Sequence, residues 1–275
     1  MLKDFNFKKK YGQNFLIDKN IIDKIMNSLD SLDNCLVIEI GCGDGRLTCE
    51  LCKKFDYVIG YEIDLEVKDR LFSRLSCFCN YKIIFDDFLN RDVVNDLSSV
   101  SFSNICVVAN LPYYVTTAII EKLISSDIDF SFMNFMVQNE VADRFSADVG
   151  TKEYNSLSVF LNYKYGVKKL FVVSKSCFYP IPKVDSAIVC FKKKSNNYNV
   201  LNEEFFFKLV RDSFRFKRKT LKNNLLMYDL DIVSSVLNKY NLDLSVRAEQ
   251  LSIDIFCDIS NALVNGGYYE KEKNK

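Results

Sequence analysis

Leu36-Val-Ile-Glu-Ile-Gly-Cys-Gly-Asp-Gly45 runs a short apolar segment straight into glycines at 41, 43 and 45. A run of this kind predicts a strand buried on both faces that leaves the sheet through a sharp turn. The same grammar repeats outward. Residues 47–55 have helical spacing, 57–63 are again strand-like, and Asp64 is placed to cap a helix reaching about Leu75. Further strands are predicted over 81–85, 105–109 and 132–137, with a helix from Thr116 or Thr117 toward Ser125. Strands alternating with helices, each strand nearly all apolar, predict an α/β fold around a Rossmann-like parallel sheet covered on both faces.

The remainder is organised differently. Residues 163–173 and 187–192 read as an antiparallel edge pair joined through a proline-containing loop, and 195–202 is a polar linker. Helical periodicity then returns in 203–214, 231–237 and 251–263. Two domains are expected: a ligand-binding catalytic domain over 1–195 and a small all-helical C-terminal domain over 203–275, its last charged residues, 270–275, frayed.

Composition narrows the chemistry. The chain has 275 residues, of which 48% are hydrophobic and 27% charged, enough to bury a core without disulfides or metals. Its 37 basic and 36 acidic residues exclude a uniformly basic coat but not a local basic patch. Ten cysteines and no histidine remove Ser-His-Asp and Cys-His catalysis and any mixed Cys/His zinc site. Cys49 and Cys52, with Cys77 and Cys79, have the spacing of a four-thiolate site, but the first pair falls in a helical apolar pattern, so no metal is expected. The first ten residues lack the apolar stretch of a leader and no segment has the length of a membrane span, so a cytoplasmic protein with reduced thiols is expected. No heptad pattern is evident, and a monomer is expected.

The glycine turn lets a ligand approach bare backbone. A dinucleotide fingerprint wants a third glycine at 46, where Arg stands, whereas Gly-x-Gly-x-Gly after an acidic strand end suits S-adenosylmethionine. Glu62 ends the next strand and is placed for the ribose hydroxyls; Asp87, after the third, is placed for the adenine amine, with Asp86 an adjacent competitor that spacing does not separate. Asn110-Leu-Pro-Tyr113 ends the fourth strand. The Asn110 side-chain oxygen and the Leu111 carbonyl would hold both N–H groups of an exocyclic amine and free its lone pair. Pro112 fixes the turn without a competing donor, and Tyr113 gives a face for a flipped base. An amide accepts no proton, so Asn110 positions, and catalysis is mostly orientation.

Together these motifs resemble the KsgA-type small-subunit (16S) ribosomal RNA adenine N6,N6-dimethyltransferases. The resemblance rests on Tyr11–Leu16, Glu39–Thr48, Asn110–Tyr113, Gln138–Ala142, Phe178–Ala187 and Arg247–Ser252, in the family's order along nearly the whole chain. The fold it implies is the class I methyltransferase sheet. The activity it implies is dimethylation of two adjacent adenines in a hairpin loop near the 3′ end of small-subunit rRNA, in the assembling 30S particle. It implies cofactor contacts at Asn14, Leu16, Gly41, Glu62, Asp87 and Asn110, to which the turn itself adds Gly43, and it sets Phe178 opposite Tyr113 as a second stacking face. Cys42-Gly-Asp44 departs from the family's usual Pro and apolar residue, at positions that mainly offer backbone.

The charge runs fit an RNA partner. Arg215, Lys217, Arg218, Lys219 and Lys222 form a basic stretch with no acid and are read as phosphate contacts. Lys8–Lys10 and Lys192–Lys194 are further candidates, the latter more simply a solvated face. Two alternatives stay open: the branch that methylates an adenine of large-subunit rRNA, which commonly has Ile where this chain has Leu111, and a non-catalytic RNA-binding assembly factor.

Overall fold

The computed structural model describes residues 13–126, 128–194 and 198–267. Tyr11, Gly12, the Lys8–Lys10 run, the start of the predicted linker and the 270–275 tail lie outside the described residues. The chain divides into two compact units, Met1–Ala142 with Lys168–Lys193, and Asp143–Val167 with Lys194–Lys275.

The first unit opens with β1 (Phe15–Leu16) and α1 (Lys19–Ser28), then alternates β2 (Cys35–Ile40), α2 (Arg46–Lys54), β3 (Tyr57–Glu62), α3 (Lys68–Leu75), β4 (Tyr81–Phe85), α4 (Val93–Leu97), β5 (Asn104–Asn110), α5 (Thr116–Ile124) and β6 (Phe130–Gln138). After α6 (Asn139–Phe145) and α7 (Ser156–Lys164), the chain returns through β7 (Tyr165–Val173), β8 (Phe178–Tyr179) and β9 (Ser186–Lys193). The sheet has seven strands in the order β4-β3-β2-β5-β6-β9-β7, with β2 through β6 parallel and β9 antiparallel to β6. All six residues of β2 are buried, as its apolar run requires of a central strand. The chain winds outward from β2 through β3 to β4, then crosses back to β5 on the other side of β2. That reversal opens a crevice at the carboxyl ends of β2 and β5, where open α/β sheets bind ligands.

Several expectations are refined. The Asp64 carboxylate caps a short 3₁₀ turn, Leu65–Val67, before α3 begins. Residues 163 and 164 belong to α7 rather than to a strand, because the Asn155 capping box starts a helix that runs through Lys164. β7 and β9 are neighbours in the sheet, as predicted. A separate two-stranded ribbon pairs Phe15 with Tyr179 and Leu16 with Phe178, joining two motifs far apart in the chain in a register too short to leave a sequence signal.

The second unit is helical: α7, α8 (Glu203–Ser213), α9 (Leu221–Asn224), α10 (Leu230–Lys239) and α11 (Ile253–Asn265). Side chains of Asn202, Asp229 and Ser252 cap α8, α10 and α11. Phe205, Phe206, Leu209, Val236, Phe256 and Leu263 fill its core. This unit also takes in residues 143–167, which the sequence reading groups with the sheet; Phe160 of α7 packs on Phe207 of α8 with ring centroids 4.6 Å apart.

Candidate active site

A cavity at the carboxyl ends of β2, β3, β4 and β5 gathers most of the predicted residues, all within the first unit. Asn14, Leu16, Gly41, Gly43, Glu62, Asp87, Asn110, Leu111, Pro112 and Tyr113 line it. Phe178 does not: it is 1% exposed and packs among Leu16, Ile22, Met136 and Ile188, where the ribbon pairs it with Leu16.

The glycine turn is tight. Gly41, Gly43 and Gly45 have φ of 84°, 54° and 82°, a left-handed path that side chains disfavour. A Cβ on Gly43 would come within 2.9 Å of the Phe15 ring. The turn is tied to β3 by the Gly41 N–H, which donates to the Tyr61 carbonyl at 2.8 Å. Glu62 is 6% exposed, and each of its oxygens accepts one backbone N–H, Oε2 from Gly43 at 2.7 Å and Oε1 from Asp64 at 2.9 Å. Burial pushes its carboxyl up, while those N–H groups pull it back down. Asp64 in turn accepts from Gln13 Nε2 at 2.6 Å.

Asp86 and Asp87, inseparable by spacing, have different partners. Asp86 accepts the Asp87 N–H through Oδ1 at 2.8 Å and faces Arg91 through Oδ2 at 3.4 Å. Asp87 Oδ1 caps the Phe88–Asn90 turn by accepting from the Leu89 N–H at 3.0 Å.

At the end of β5, Asn110 Nδ2 donates to the Asn14 carbonyl at 3.1 Å, which sets the amide nitrogen on that side and turns its oxygen away. The Leu111 N–H is taken by the Met136 carbonyl at 3.1 Å. The Pro112 carbonyl is taken by the Val115 N–H and the Thr116 hydroxyl. The Leu111 carbonyl accepts no hydrogen bond among the described residues. Tyr113 is half-buried and its hydroxyl pairs with Ser186 Oγ at 3.0 Å; burial pushes the phenol up and it stays neutral.

Four carboxylates, Asp44, Glu62, Asp86 and Asp87, line the cavity against a single guanidinium, Arg46, itself paired to Asp44 at 3.1 Å. Such a cavity suits a cationic ligand with hydroxyl and amine donors and opposes a phosphate. Glu62 keeps lone pairs for a vicinal diol, and the bare turn at Gly41 and Gly43 leaves room at the backbone, so the residues fit S-adenosylmethionine. Sequence reasoning missed Ile63 and Phe88, apolar walls that directly follow Glu62 and the Asp86–Asp87 pair, a positional signal it did not use. It also missed Gln13, whose bond to Asp64 spans 51 residues without a local cue.

No group of three or more His, Cys, Asp or Glu among the described residues could hold a metal; Cys49 and Cys52 are buried on α2. No described helix is long and apolar enough to cross a membrane.

In the second unit, Arg215, Lys217, Arg218, Lys219 and Lys222 are all exposed, and the Arg215 guanidinium lies 5.5 Å over the exposed Phe216 ring. Buried Asn224 holds this loop, accepting from the Phe216 N–H at 3.1 Å and donating to the Ser213 and Phe216 carbonyls at 2.8 and 3.3 Å. Lys217 also donates to the Lys152 carbonyl at 2.6 Å, whereas in the other run Lys192 pairs with the Asp30 carboxylate, Lys193 with that of Asp129, and Lys194 donates to the Asn162 carbonyl.

Comparison with known proteins places these features in a family. A family model described as Ribosomal RNA adenine dimethylase matches residues 4–265. A Bacillus pumilus protein named Ribosomal RNA small subunit methyltransferase A is 42% identical over 268 residues, 94% of this chain and 92% of the relative. Among solved structures, a dimethyladenosine transferase from Plasmodium falciparum superposes with a TM-score of 0.77 at 27% identity, covering 92% of this chain and 98% of the other. The 23S rRNA methyltransferase ErmE shares the fold, with a TM-score of 0.76 at 23% identity over 91% and 100% of the two chains.

Proposed function

The chain belongs to the ribosomal RNA adenine dimethylase family, and from that membership we propose that it methylates two adjacent adenines at N6, near the 3′ end of small-subunit rRNA in the assembling 30S particle, using S-adenosylmethionine. The observation that carries the reading is the acidic cavity opening onto Asn110-Leu-Pro-Tyr113, with the Asn110 amide oriented by Asn14 and the Leu111 carbonyl left without a partner among the described residues. The small-subunit target is supported by the name of the relative at 42% identity.

When bound, S-adenosylmethionine supplies an electrophilic methyl group on a sulfonium. Glu62 would hold its ribose hydroxyls and Asp87 its adenine amine, with Asn14, Leu16, Gly41, Gly43 and Asn110 completing the pocket. Asn110 Oδ1 and the Leu111 carbonyl each accept one N–H of the target amine, which turns the nitrogen lone pair out of conjugation with the purine. Neither is basic enough to take the proton, which leaves to solvent, so the chain's contribution is orientation and desolvation. Tyr113 offers the stacking face at the cavity wall; Phe178, buried and paired with Leu16 in the ribbon, would need to emerge to face it. Arg215, Lys217, Arg218, Lys219 and Lys222 contact phosphates. The protein works as a cytoplasmic monomer.

The test is transfer of labelled methyl from S-adenosylmethionine to undermethylated small subunits, large subunits and naked rRNA. Label in small-subunit RNA is expected. Label in large-subunit RNA would move the protein to the other branch, and cofactor binding without transfer would make it an assembly factor.

A further inference from the structure

The segment that carries Asp86, Asp87 and Phe88 to the cavity is held from behind by Arg91, Asp96 and Lys122, which do not line it. Arg91 donates through Nε to Asp96 Oδ2 at 3.1 Å and through Nη2 to Asp96 Oδ1, and its Nη1 reaches Asp86 Oδ2 at 3.4 Å. Asp96 lies at 7% exposure and accepts a further bond, at 3.0 Å, from the hydroxyl of Tyr61, the residue before Glu62. Lys122, from α5, donates to the Leu89 and Arg91 carbonyls at 2.8 and 2.5 Å, and its Nζ sits 5.6 Å from the Phe88 ring centre. A two-pronged guanidinium–carboxylate pair is a directional clamp, and here it spans a buried carboxylate and one of the two adjacent aspartates.

Asp86 and Asp87 are chemically equal neighbours on the cavity wall, yet both oxygens of Asp86 are engaged, one by a backbone N–H and one by Arg91. Asp87 spends one oxygen on the turn that Lys122 pins at its far end. On the reading of this cavity as an adenosine site, we propose that Arg91 is a positioning residue that ties up Asp86 and leaves Asp87 to read the exocyclic amine of the cofactor's adenine. Selectivity for a 6-amino purine over a 6-oxo purine then depends on a side chain that does not line the cavity. Asp96, whose carboxyl the Arg91 guanidinium pulls down against the opposing effect of burial, is the charged anchor of the clamp.

Calorimetry with S-adenosylhomocysteine and its inosine analogue, in which a 6-oxo group replaces the amine, tests this. The native chain is expected to prefer the adenine form by about tenfold or more, as loss of a bond to a carboxylate implies. Arg91→Ala is expected to lose most of that preference, with kcat at saturating cofactor kept within about twofold. Arg91→Lys, which keeps the charge without the fork, is expected to restore it in part. Asp86→Asn is expected to retain the preference and Asp87→Asn to lose it. Thermal melts identify the folded variants, and Arg91→Lys serves if Arg91→Ala does not fold. An Arg91 variant that weakens both ligands equally, with the preference intact, would reduce Arg91 to a structural role and overturn the proposal. If the native chain binds neither ligand, the adenosine-site reading fails first and takes the proposal with it.

Discussion

Glu39 shows how far a single residue's chemistry can be followed. It is the penultimate residue of β2, is 1% exposed, and its Oε2 has no hydrogen-bond partner among the described residues. Burial pushes its carboxyl up to about 8, with the nearby Glu62 and Asp44 adding to the rise. Unfolded, the group titrates near 4.5, so between 4.5 and 8 the unfolded chain ionises it while the fold keeps it neutral. Its contribution to stability is therefore complete below pH 4.5 and is lost as pH rises to 8. Glu39→Gln is expected to match the native protein at the acid end and to exceed it above pH 8 by up to about 5 kcal/mol, measured by urea unfolding across the range. Parallel pH profiles would contradict the neutral carboxyl. The position of Glu62, the Asp86–Asp87 pair and Asn110 on the cavity wall was legible in the sequence because each stands at a strand end beside a turn, though spacing did not separate Asp86 from Asp87. Gln13 was not, since only the folded chain brings it to Asp64, and neither was the burial of Phe178, which depends on two-residue strands.

Among the elements, α2 depends most on its first turn. Gly45 caps it with φ 82° and no side-chain bond, and a Cβ there would meet Leu71 Cδ1 at 2.8 Å. Gly150 has a similar φ of 85°, but open space around it. Gly45→Ala is expected to cost about 2–3 kcal/mol and Gly150→Ala about 1–2 kcal/mol, the difference being the collision rather than the dihedral. Thermal denaturation of the pair measures it, and equal losses would show that Leu71 yields freely. The parallel strands could be read to within two residues because each is a nearly continuous apolar run between breakers. β1, β8 and the end of α7 could not: two residues carry no periodicity, and the Asn155 capping box outweighed the β-like composition of 163–164.

The whole molecule is nearly neutral, +1 in formal charge, so affinity for RNA must come from where charge is placed. The Arg215–Lys222 loop exposes its cations on a scaffold held by Asn224, whereas Lys192 and Lys193 are occupied by Asp30 and Asp129. Replacing Arg215, Lys217, Arg218 and Lys219 with Gln is expected to flatten the plot of log affinity against log salt, by about 0.7 for each phosphate that is no longer neutralised. Replacing Lys192 and Lys193 is expected to leave the slope alone, and the reverse pattern would relocate the RNA face. At this scale the sequence conveyed the sheet and the helical remainder, but not that 143–167 join the helices, because α7's packing partner α8 lies well downstream, beyond β7, β8 and β9. The decisive measurement compares native protein and Asn110→Ala on undermethylated small subunits, by nucleoside mass spectrometry alongside cofactor calorimetry. N6,N6-dimethyladenosine is expected from the native protein and at least about 10²-fold slower from the variant, with cofactor affinity falling far less. Near-native turnover by Asn110→Ala would contradict the role given to that amide and with it the proposed mechanism.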